Sequence, residues 1–274
     1  MRIFISVDIE GVTGVSRWED TVKKGSTYPY FQQQMTKEVA AACKGAEEAG
    51  AEFILVKDAH EDGNNLIYSL LPQDVKIISG WSGHPYAMLE GLDDSFDAVM
   101  MIGYHSGAHS NGSPLSHTLS PKRIRSITIN GDYVDEFLIH KYIADMLGVP
   151  VILVTGDGSL MRSVIKVDRG IHTVATCEGF GGAMISIHPD LAMQKIQDAA
   201  RAAVLRLIEN KEEIKEITTK LMLRKSFDLK IEFKNHRDAY KYSFYPGVTQ
   251  MNETTISFHT DNYMNVVTLL GFII

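Results

Sequence analysis

The sequence contains few cysteines, and this limits the kinds of site and fold that it can form. Its 274 residues include only Cys43 and Cys177, which lie far apart and outside any CxxC or CxxH motif. We therefore expect neither a disulfide framework nor a thiolate zinc site. Such cysteine usage is typical of the reducing cytosol, and we expect a cytoplasmic protein.

The sequence also lacks a long apolar segment and an excess of positive charge. The apolar run at residues 3–7 is too short for a signal peptide and is closed at once by Asp8 and Glu10. The longest apolar stretch, residues 266–274, is far below the ~20 residues of a membrane-spanning helix. With 27 Lys and Arg against 34 Asp and Glu, the net charge of -7 gives no basic footprint for nucleic acid. We expect neither a membrane nor a nucleic acid as a partner.

Short runs of apolar and β-branched residues recur along the first part of the chain. Most of them are continuously apolar, which is the pattern of strands that are buried on both faces of a parallel sheet. Helices are predicted between them at residues 30–49 and 135–147, ended by Gly50 and Gly148. This alternation predicts an α/β fold, a mainly parallel sheet with helices on both faces. The predicted strands are residues 2–7, 52–57, 98–103, 125–130 and 150–155.

The pattern changes near residue 190. An alanine-rich helical stretch at residues 188–210 continues into a charged segment, and two shorter strands are predicted at 229–233 and 254–259. We interpret residues 1–190 as an α/β catalytic domain that holds the candidate metal ligands. Residues 191–274 are interpreted as a smaller α+β part that contributes to oligomer contacts.

Residues that can bind a metal or move a proton follow the predicted strands with a regular placement. The carboxyl ends of parallel strands lie at one edge of a sheet, where ligands bind in the crevice. Residues that are distant in sequence should therefore meet there. They are Asp8 and Glu10 after the first strand, Asp58 and His60 after the second, His105 after the third and Asp157 after the last.

Each of these candidates has an ordinary structural alternative when it is considered alone. Asp8 could cap a turn, and a single histidine at the end of a strand is more often a hydrogen-bonded structural residue. Glu136 lies near the start of a predicted helix, where an acidic residue complements the helix dipole, and Asp135 competes for either role. Several such residues on one predicted edge make coincidence a poor explanation.

Imidazole and carboxylate donors without a thiolate suit catalytic zinc or a similar ion. Asp8, Glu10, His60, His105 and Glu136 are more ligands than one catalytic zinc needs, so two ions could share a carboxylate and promote hydrolysis. The ligands alone do not select the bond. His109 and His117, in the loop 106–121, are both candidates for proton transfer, and the sequence does not rank them.

Several short motifs, taken in order, resemble the zinc-dependent D-aminopeptidases, a self-compartmentalising family of dipeptide-transport operons. The resemblance is distinctive from the first strand to about residue 157 and looser beyond it. The motifs are SVDIEG at 6–11, KDAH at 57–60, EGLDDSF at 90–96, GYH at 103–105, SH at 116–117 and NGDYVDE at 130–136.

This resemblance implies a site with two zinc ions per subunit. In it Asp8 would bridge the ions, Glu10 and His60 would complete one, and His105 and Glu136 the other. His117 falls on the position of the family's catalytic histidine. The resemblance also implies cleavage of the N-terminal residue of short peptides, a preference for D-amino acids such as D-alanine, and a homo-oligomer, specifically a homodecamer of two stacked five-membered rings.

The chain departs from the family pattern at two places. Asp135 stands before Glu136 where a small residue such as glycine is expected, and residues 107–114 with His109 look peculiar to this chain. Two alternatives stay open at this point: another dinuclear metallohydrolase, either an amidase or a phosphoesterase, and a non-catalytic peptide-binding protein. The phosphoesterase is weakened because no glycine-rich phosphate loop with a lysine or arginine is evident.

Overall fold

The computed structural model describes residues 1–221 and 226–273. Within them the chain forms two sheets and the helices that cover them. The elements, in chain order, are β1 (Arg2–Val7), α1 (Tyr28–Glu48), β2 (Phe53–Asp58), β3 (Lys76–Ile78), β4 (Ala98–Tyr104), β5 (Ile124–Ile129), β6 (Asp132–Tyr133), α2 (Glu136–Met146), β7 (Val151–Asp157), α3 (Gly158–Val167), β8 (His172–Phe180), β9 (Ala183–Ser186), α4 (Pro189–Glu209), α5 (Lys211–Leu221), β10 (Phe227–Phe233), α6 (His236–Tyr242), β11 (Val248–Gln250), β12 (Thr255–Thr260) and α7 (Tyr263–Ile273).

The first sheet has seven strands in the order β3-β2-β1-β4-β7-β8-β9. All neighbouring strands are parallel except β8 and β9, which form an antiparallel hairpin at one edge. Strand β1 pairs with β2 on one side and with β4 on the other. The carboxyl ends of these three strands therefore lie side by side, and the α/β fold expected from the sequence is confirmed.

Helices cover both faces of this sheet because successive side chains of each strand point in opposite directions. In β1, Ile3 and Ile5 belong to the core beneath α1 and α4, whereas Phe4 belongs to the core beneath α2. Helices α1 and α4 also pack closely against each other. The strands are continuously apolar because both faces are buried, as the sequence indicates.

The second sheet has five antiparallel strands in the order β11-β12-β10-β5-β6. The expectation that residues 125–130 join the parallel sheet was wrong, since β5 pairs with β10 in antiparallel register. Sequence alone did not show this, because a buried apolar strand looks the same in either sheet. Strands from both sides of residue 190 build this sheet, and the division of the chain at that residue stays a prediction.

The C-terminal apolar segment is the helix α7, whose buried face packs against α2, β10 and β12. Its buried residues include Val266, Leu269 and Leu270, so this helix contributes to the core. Across the described parts of the chain, no helix combines the length and hydrophobicity needed to cross a bilayer.

The contact between α1 and α4 depends on a helical glycine. A Cβ added at Gly45 would stand 2.2 Å from the carbonyl oxygen of Gln197 and 3.0 Å from the Cβ of Ala200. Gly45→Ala should therefore force the two helices apart, and overpacking of this kind lowers the free energy of unfolding by about 1–3 kcal/mol. The higher helix propensity of alanine offsets about 1 kcal/mol of this loss. Thermal or denaturant unfolding measures the change.

Gly271 is the matched control for this substitution. It is also helical, but it is exposed, and no described atom lies within 4 Å of the position of its added Cβ. Gly271→Ala should be neutral or stabilising by up to about 1 kcal/mol. Equal stabilisation by the two substitutions would contradict the account of the α1–α4 contact.

Candidate metal centre

Six candidate residues from five chain segments converge at one edge of the parallel sheet. Because β1 lies between β2 and β4, the residues that follow these strands are neighbours in space. The start of α2 and the loop after β4 complete the cluster. Each residue is at most 9 % exposed; they are Asp8, Glu10, His60, His105, His117 and Glu136.

The first half of the cluster consists of Asp8, Glu10 and His60, whose candidate ligand atoms lie within 4.8 Å of one another. The Nδ1 atom of His60 is 3.2 Å from Oδ1 of Asp8 and 3.1 Å from Oε2 of Glu10. Its Nε2 atom lies 2.8 Å from the carbonyl oxygen of Thr21. Because a carbonyl only accepts hydrogen bonds, Nε2 carries a proton, and Nδ1 is the nitrogen that faces the carboxylates and is available to a metal when it is deprotonated.

The second half consists of His105, His117 and Glu136, whose candidate ligand atoms also lie within 4.8 Å of one another. The Nδ1 atom of His105 donates to the carbonyl oxygen of Ser106 at 3.0 Å, which leaves Nε2 3.5 Å from Oε1 of Glu136. His117 donates through Nδ1 to the carbonyl oxygen of Leu115 at 2.8 Å, and its ring stacks on His105 with centroids 4.2 Å apart.

Asp8 lies between the two halves. Its Oδ1 atom faces His60, and its Oδ2 atom lies 3.5 Å from Nε2 of His105. Asp8 is thus the one carboxylate of the cluster with an oxygen directed toward a histidine of each half. A carboxylate in this position can be shared by two cations.

Three buried polar atoms of the cluster indicate a missing positive charge. Oδ2 of Asp8, Oε2 of Glu10 and Nε2 of His105 have no partner with hydrogen-bond geometry among the described residues. Leaving such atoms unsatisfied is costly, by about 1–3 kcal/mol each and more for a charged group. Divalent cations placed between them would satisfy all three, and the nitrogen and oxygen donors suit zinc.

The protonation of the cluster in the absence of an ion shows the same demand for positive charge. Burial, together with the charge of Glu10, raises the pKa of Asp8 to about 7. Burial opposes a charge on His60 and His105, but the neighbouring carboxylates outweigh it and raise the pKa of both imidazoles. Burial also opposes ionisation of Glu136, yet the charge of His105 lowers its pKa to about 2. The carboxylates thus favour positive charge on both imidazoles.

A cavity of about 310 Å³ opens onto this cluster. Its apolar wall includes Trp18 and Leu119. The rings of Trp18 and His117 pack edge to face, with their centroids 5.2 Å apart. Leu119 adopts a left-handed backbone conformation with φ of 62° and donates its N–H to Oε1 of Glu136 at 2.7 Å. Strain of this kind persists where the surrounding structure fixes it, often at a functional site. The cavity gives a small substrate access to the candidate ligands.

Comparisons with known proteins identify the family of the chain. The sequence profile of the D-aminopeptidases matches residues 1–272. The chain belongs to the D-aminopeptidase family. A D-aminopeptidase of Bacillus subtilis strain 168 is 28% identical over 268 residues, which span 96% of this chain and 93% of that protein. The solved structure of DppA from Bacillus subtilis, described as a Zn-dependent D-aminopeptidase and self-compartmentalizing protease, superposes with a TM-score of 0.89 at 26% identity, covering 100% of this chain and 96% of that chain.

Family membership confirms the resemblance seen in the sequence motifs. It also selects among the functions that the sequence left open, because a D-aminopeptidase is a hydrolase of peptide bonds. The phosphoesterase and the non-catalytic peptide-binding protein are therefore set aside. The metal ligands and the catalytic residue are assigned from the geometry described above and stay proposals.

The structure separates the two histidines that the sequence could not rank. His117 lines the cavity at the cluster, whereas His109 is exposed and stacks on Tyr133, with centroids 4.5 Å apart, beside a different cavity. It also separates the two acidic residues at the start of α2. Asp135 caps the helix by accepting the N–H of Leu138 at 2.8 Å, which leaves Glu136 for the cluster.

Several contributors to the site were missed by sequence reasoning. Thr21 and Ser106 act through main-chain carbonyl oxygens, and no side-chain pattern signals such a role. Trp18 lies in the loop between β1 and α1, and its approach to His117 depends on the path of that loop. Its only sequence signal is that it is one of two tryptophans in the chain.

The unsatisfied atoms of this centre predict how the D-aminopeptidase responds to metal. Zinc added to metal-free protein should raise the melting temperature, since free zinc at 100 times its Kd stabilises by about 2.7 kcal/mol. Asp8→Asn should lose most of this gain, because Asp8 faces both halves of the centre. Asp74→Asn, at an exposed position, is the control and should respond as the unchanged chain does. An equal zinc response in the two variants would contradict the assignment.

Proposed function

We propose that this chain is a dinuclear zinc aminopeptidase that removes the N-terminal residue of short peptides and prefers D-amino acids such as D-alanine. The observation that carries the two-ion proposal is the position of Asp8, whose two oxygens face one histidine of each half. Zinc is supported by the donor set and by the Zn-dependent relative from Bacillus subtilis. The preference for D-residues is supported by the family to which the chain belongs.

The ligands divide between the two ions along the halves of the cluster. Glu10 and His60 would hold one ion, His105 and Glu136 the other, and Asp8 would contribute to both. When bound, zinc lowers the pKa of water toward neutrality and polarises the carbonyl group that is attacked. Five ligands for two ions leave coordination positions for water and substrate, as a catalytic site requires.

His117 is the proposed catalytic residue. It lies close enough to Glu136 to bind a metal with it, but its position favours a role at the substrate. Its Nε2 atom is 3.7 Å from Oε1 of Glu136, farther than the 3.5 Å of His105, and its ring lines the cavity. Burial and the neighbouring His105 lower the pKa of His117, which favours the neutral imidazole at neutral pH. Such a group is suited to move protons at the substrate.

The hydrogen bonds of His117 define its part in the reaction. Nδ1 donates to the carbonyl oxygen of Leu115, so Nε2 carries the lone pair. Nε2 accepts a proton from the attacking water, and the imidazolium then donates that proton to the nitrogen of the leaving amine as the peptide bond breaks. The ring of Trp18 packs beside this imidazole at an interplanar angle of 64°.

We further propose that the subunits form a homo-oligomer, specifically the homodecamer that the family resemblance implies. The relative described as self-compartmentalizing supports assembly. Large apolar side chains at the surface also support it, since Phe180, Phe244 and Phe272 are 70–71% exposed. A cytoplasmic location is supported by Cys43 and Cys177, which are buried free thiols.

Substitution of His117 tests its role. His117→Ala should lower kcat at least 100-fold, the smallest usual contribution of a general acid and base, while the zinc content is retained. His109→Ala, in the same loop, is the control and should keep a near-normal rate. Steady-state kinetics and elemental analysis of the same samples provide both values. Near-normal turnover in His117→Ala would remove this residue from the mechanism.

The substrate preference is tested with matched dipeptides. D-Ala-D-Ala should be cleaved with a higher kcat/KM than L-Ala-L-Ala, and N-acetyl-D-Ala-D-Ala should resist cleavage because its terminal amine is blocked. Release of free alanine of either configuration measures all three rates on one zinc-loaded preparation. Equal cleavage of the free and the acetylated peptide would contradict an aminopeptidase.

A further inference from the structure

Two buried aspartates at strand ends have no role in the proposed reaction. Asp58 ends β2 and Asp157 ends β7, and both are 0% exposed. They stand at the edge of the sheet that carries the metal centre, but neither lines the cavity or belongs to the groups of candidate ligands. Burying a carboxylate is costly unless it is hydrogen-bonded, so their partners are informative.

Asp157 connects two segments of the chain. Its Oδ2 atom accepts the N–H of Ser106 at 2.6 Å, and its Oδ1 atom accepts the hydroxyl of the same residue at 2.5 Å. Oδ1 also accepts the N–H groups of Ser159 and Leu160 at 3.0 Å each, in the first turn of α3. Asp157 therefore caps this helix and at the same time holds Ser106 by both its main chain and its side chain.

Ser106 carries this constraint to the two histidines of the second half. Its carbonyl oxygen accepts the Nδ1 hydrogen of His105 at 3.0 Å and the main-chain N–H of His117 at 3.3 Å. The orientation of the peptide group at Ser106 therefore sets the direction of the His105 ring and the position of His117. Hydrogen bonds of this kind, behind the ligands, fix the tautomer and the aim of a metal-binding histidine.

Asp58 holds the other half of the centre through an asparagine. Its carboxylate accepts the N–H groups of Asn65 and Leu66, at 2.5 and 2.8 Å, and the side-chain amide of Asn65 at 2.8 Å. The same amide nitrogen donates to the carbonyl oxygen of His60 at 2.7 Å. The hydroxyl of Tyr28 donates to Oδ1 of Asn65 at 2.7 Å and fixes the amide orientation.

We propose that Asp157 and Asp58 are positioning residues that act separately, each on one half of the metal centre. Asp157 orients His105 and His117 through Ser106, and Asp58 fixes the main chain of His60 through Asn65. Through Ser106, Asp157 orients the imidazole of His105, whereas Asp58 fixes only the main chain of His60. Loss of Asp157 should therefore weaken zinc binding more than loss of Asp58. This inference rests on the proposed binding of two ions.

A purely structural role for Asp157 makes a different prediction. If Asp157 only capped α3, serine would replace it well, because serine is an equally good N-cap residue. Serine has one side-chain oxygen, so it cannot accept hydrogen bonds from both the main-chain N–H and the hydroxyl of Ser106 as Asp157 does. Asp157→Ser should therefore keep the cap of α3 and still lose zinc affinity, whereas a role in capping alone predicts unchanged zinc affinity.

The test measures zinc affinity by chelator competition in two backgrounds. His60→Ala leaves the half that contains His105, and His105→Ala leaves the half that contains His60. Asp157→Asn should weaken zinc binding about 10- to 100-fold in the His60→Ala background and less than about twofold in the other. Asp58→Asn should show the reverse pattern with a smaller effect.

Equal weakening in both backgrounds, or none in either, would overturn the inference. Where a half centre alone holds no zinc, the aspartate substitutions are made in the otherwise unchanged chain. There, weaker binding of one of the two zinc ions in Asp157→Asn supports the proposal, whereas unchanged binding of both ions or equal weakening of both overturns it. If the unchanged chain itself binds no zinc, the proposed function fails, and this result is distinct from a failure of the positioning roles.

Discussion

The structure depends on one electrostatic constraint, the burial of three carboxylates at one point. Asp8, Glu10 and Glu136 are each at most 5% exposed and belong to a single cluster. Like charges out of contact with water repel strongly and demand compensating positive charge. The pKa of Asp8, which is raised to about 7, and the raised pKa values of His60 and His105 reflect this demand. Two divalent cations would meet it and also supply the chemistry of hydrolysis.

The fold makes this cluster possible by bringing parallel strands to a common edge. Strands β1, β2 and β4 are buried on both faces, and their register places the residues after each strand next to those of its neighbour. Rigid strands hold the ligands, while the loops beyond them provide the cavity wall and His117. Behind the ligands, Asp157 and Asp58 tie the same strand ends to the loops. The scaffold therefore positions the centre from several directions.

Several candidate ligands could be predicted from sequence because they follow strands that are easy to recognise. Asp8, His60 and His105 stand directly after apolar runs, and one topological rule brings them together. Glu136 was reached less firmly, from its place at the start of a predicted helix, where Asp135 competed with it. The choice of His117 over His109 needed the family resemblance. The structure supports Glu136 over Asp135, because Asp135 caps the helix.

Other features had no local signal. Strand β5 looks like its parallel neighbours in sequence, yet it pairs with β10, which lies about a hundred residues later in the chain. The hairpin of β8 and β9 was not predicted, because its partly exposed residues lack a continuous apolar run. The carbonyl oxygens of Thr21 and Ser106 depend on loop paths that tertiary packing decides. Long-range pairing and main-chain contacts of this kind are properties of the folded chain.

Anomalous diffraction at the zinc edge, from crystals of the zinc-loaded protein, tests the central claim most directly. Two peaks should appear on either side of the Asp8 carboxylate, one beside Glu10 and His60 and the other beside His105 and Glu136. A single peak that does not contact Asp8, or no peak at this edge of the sheet, would contradict the account.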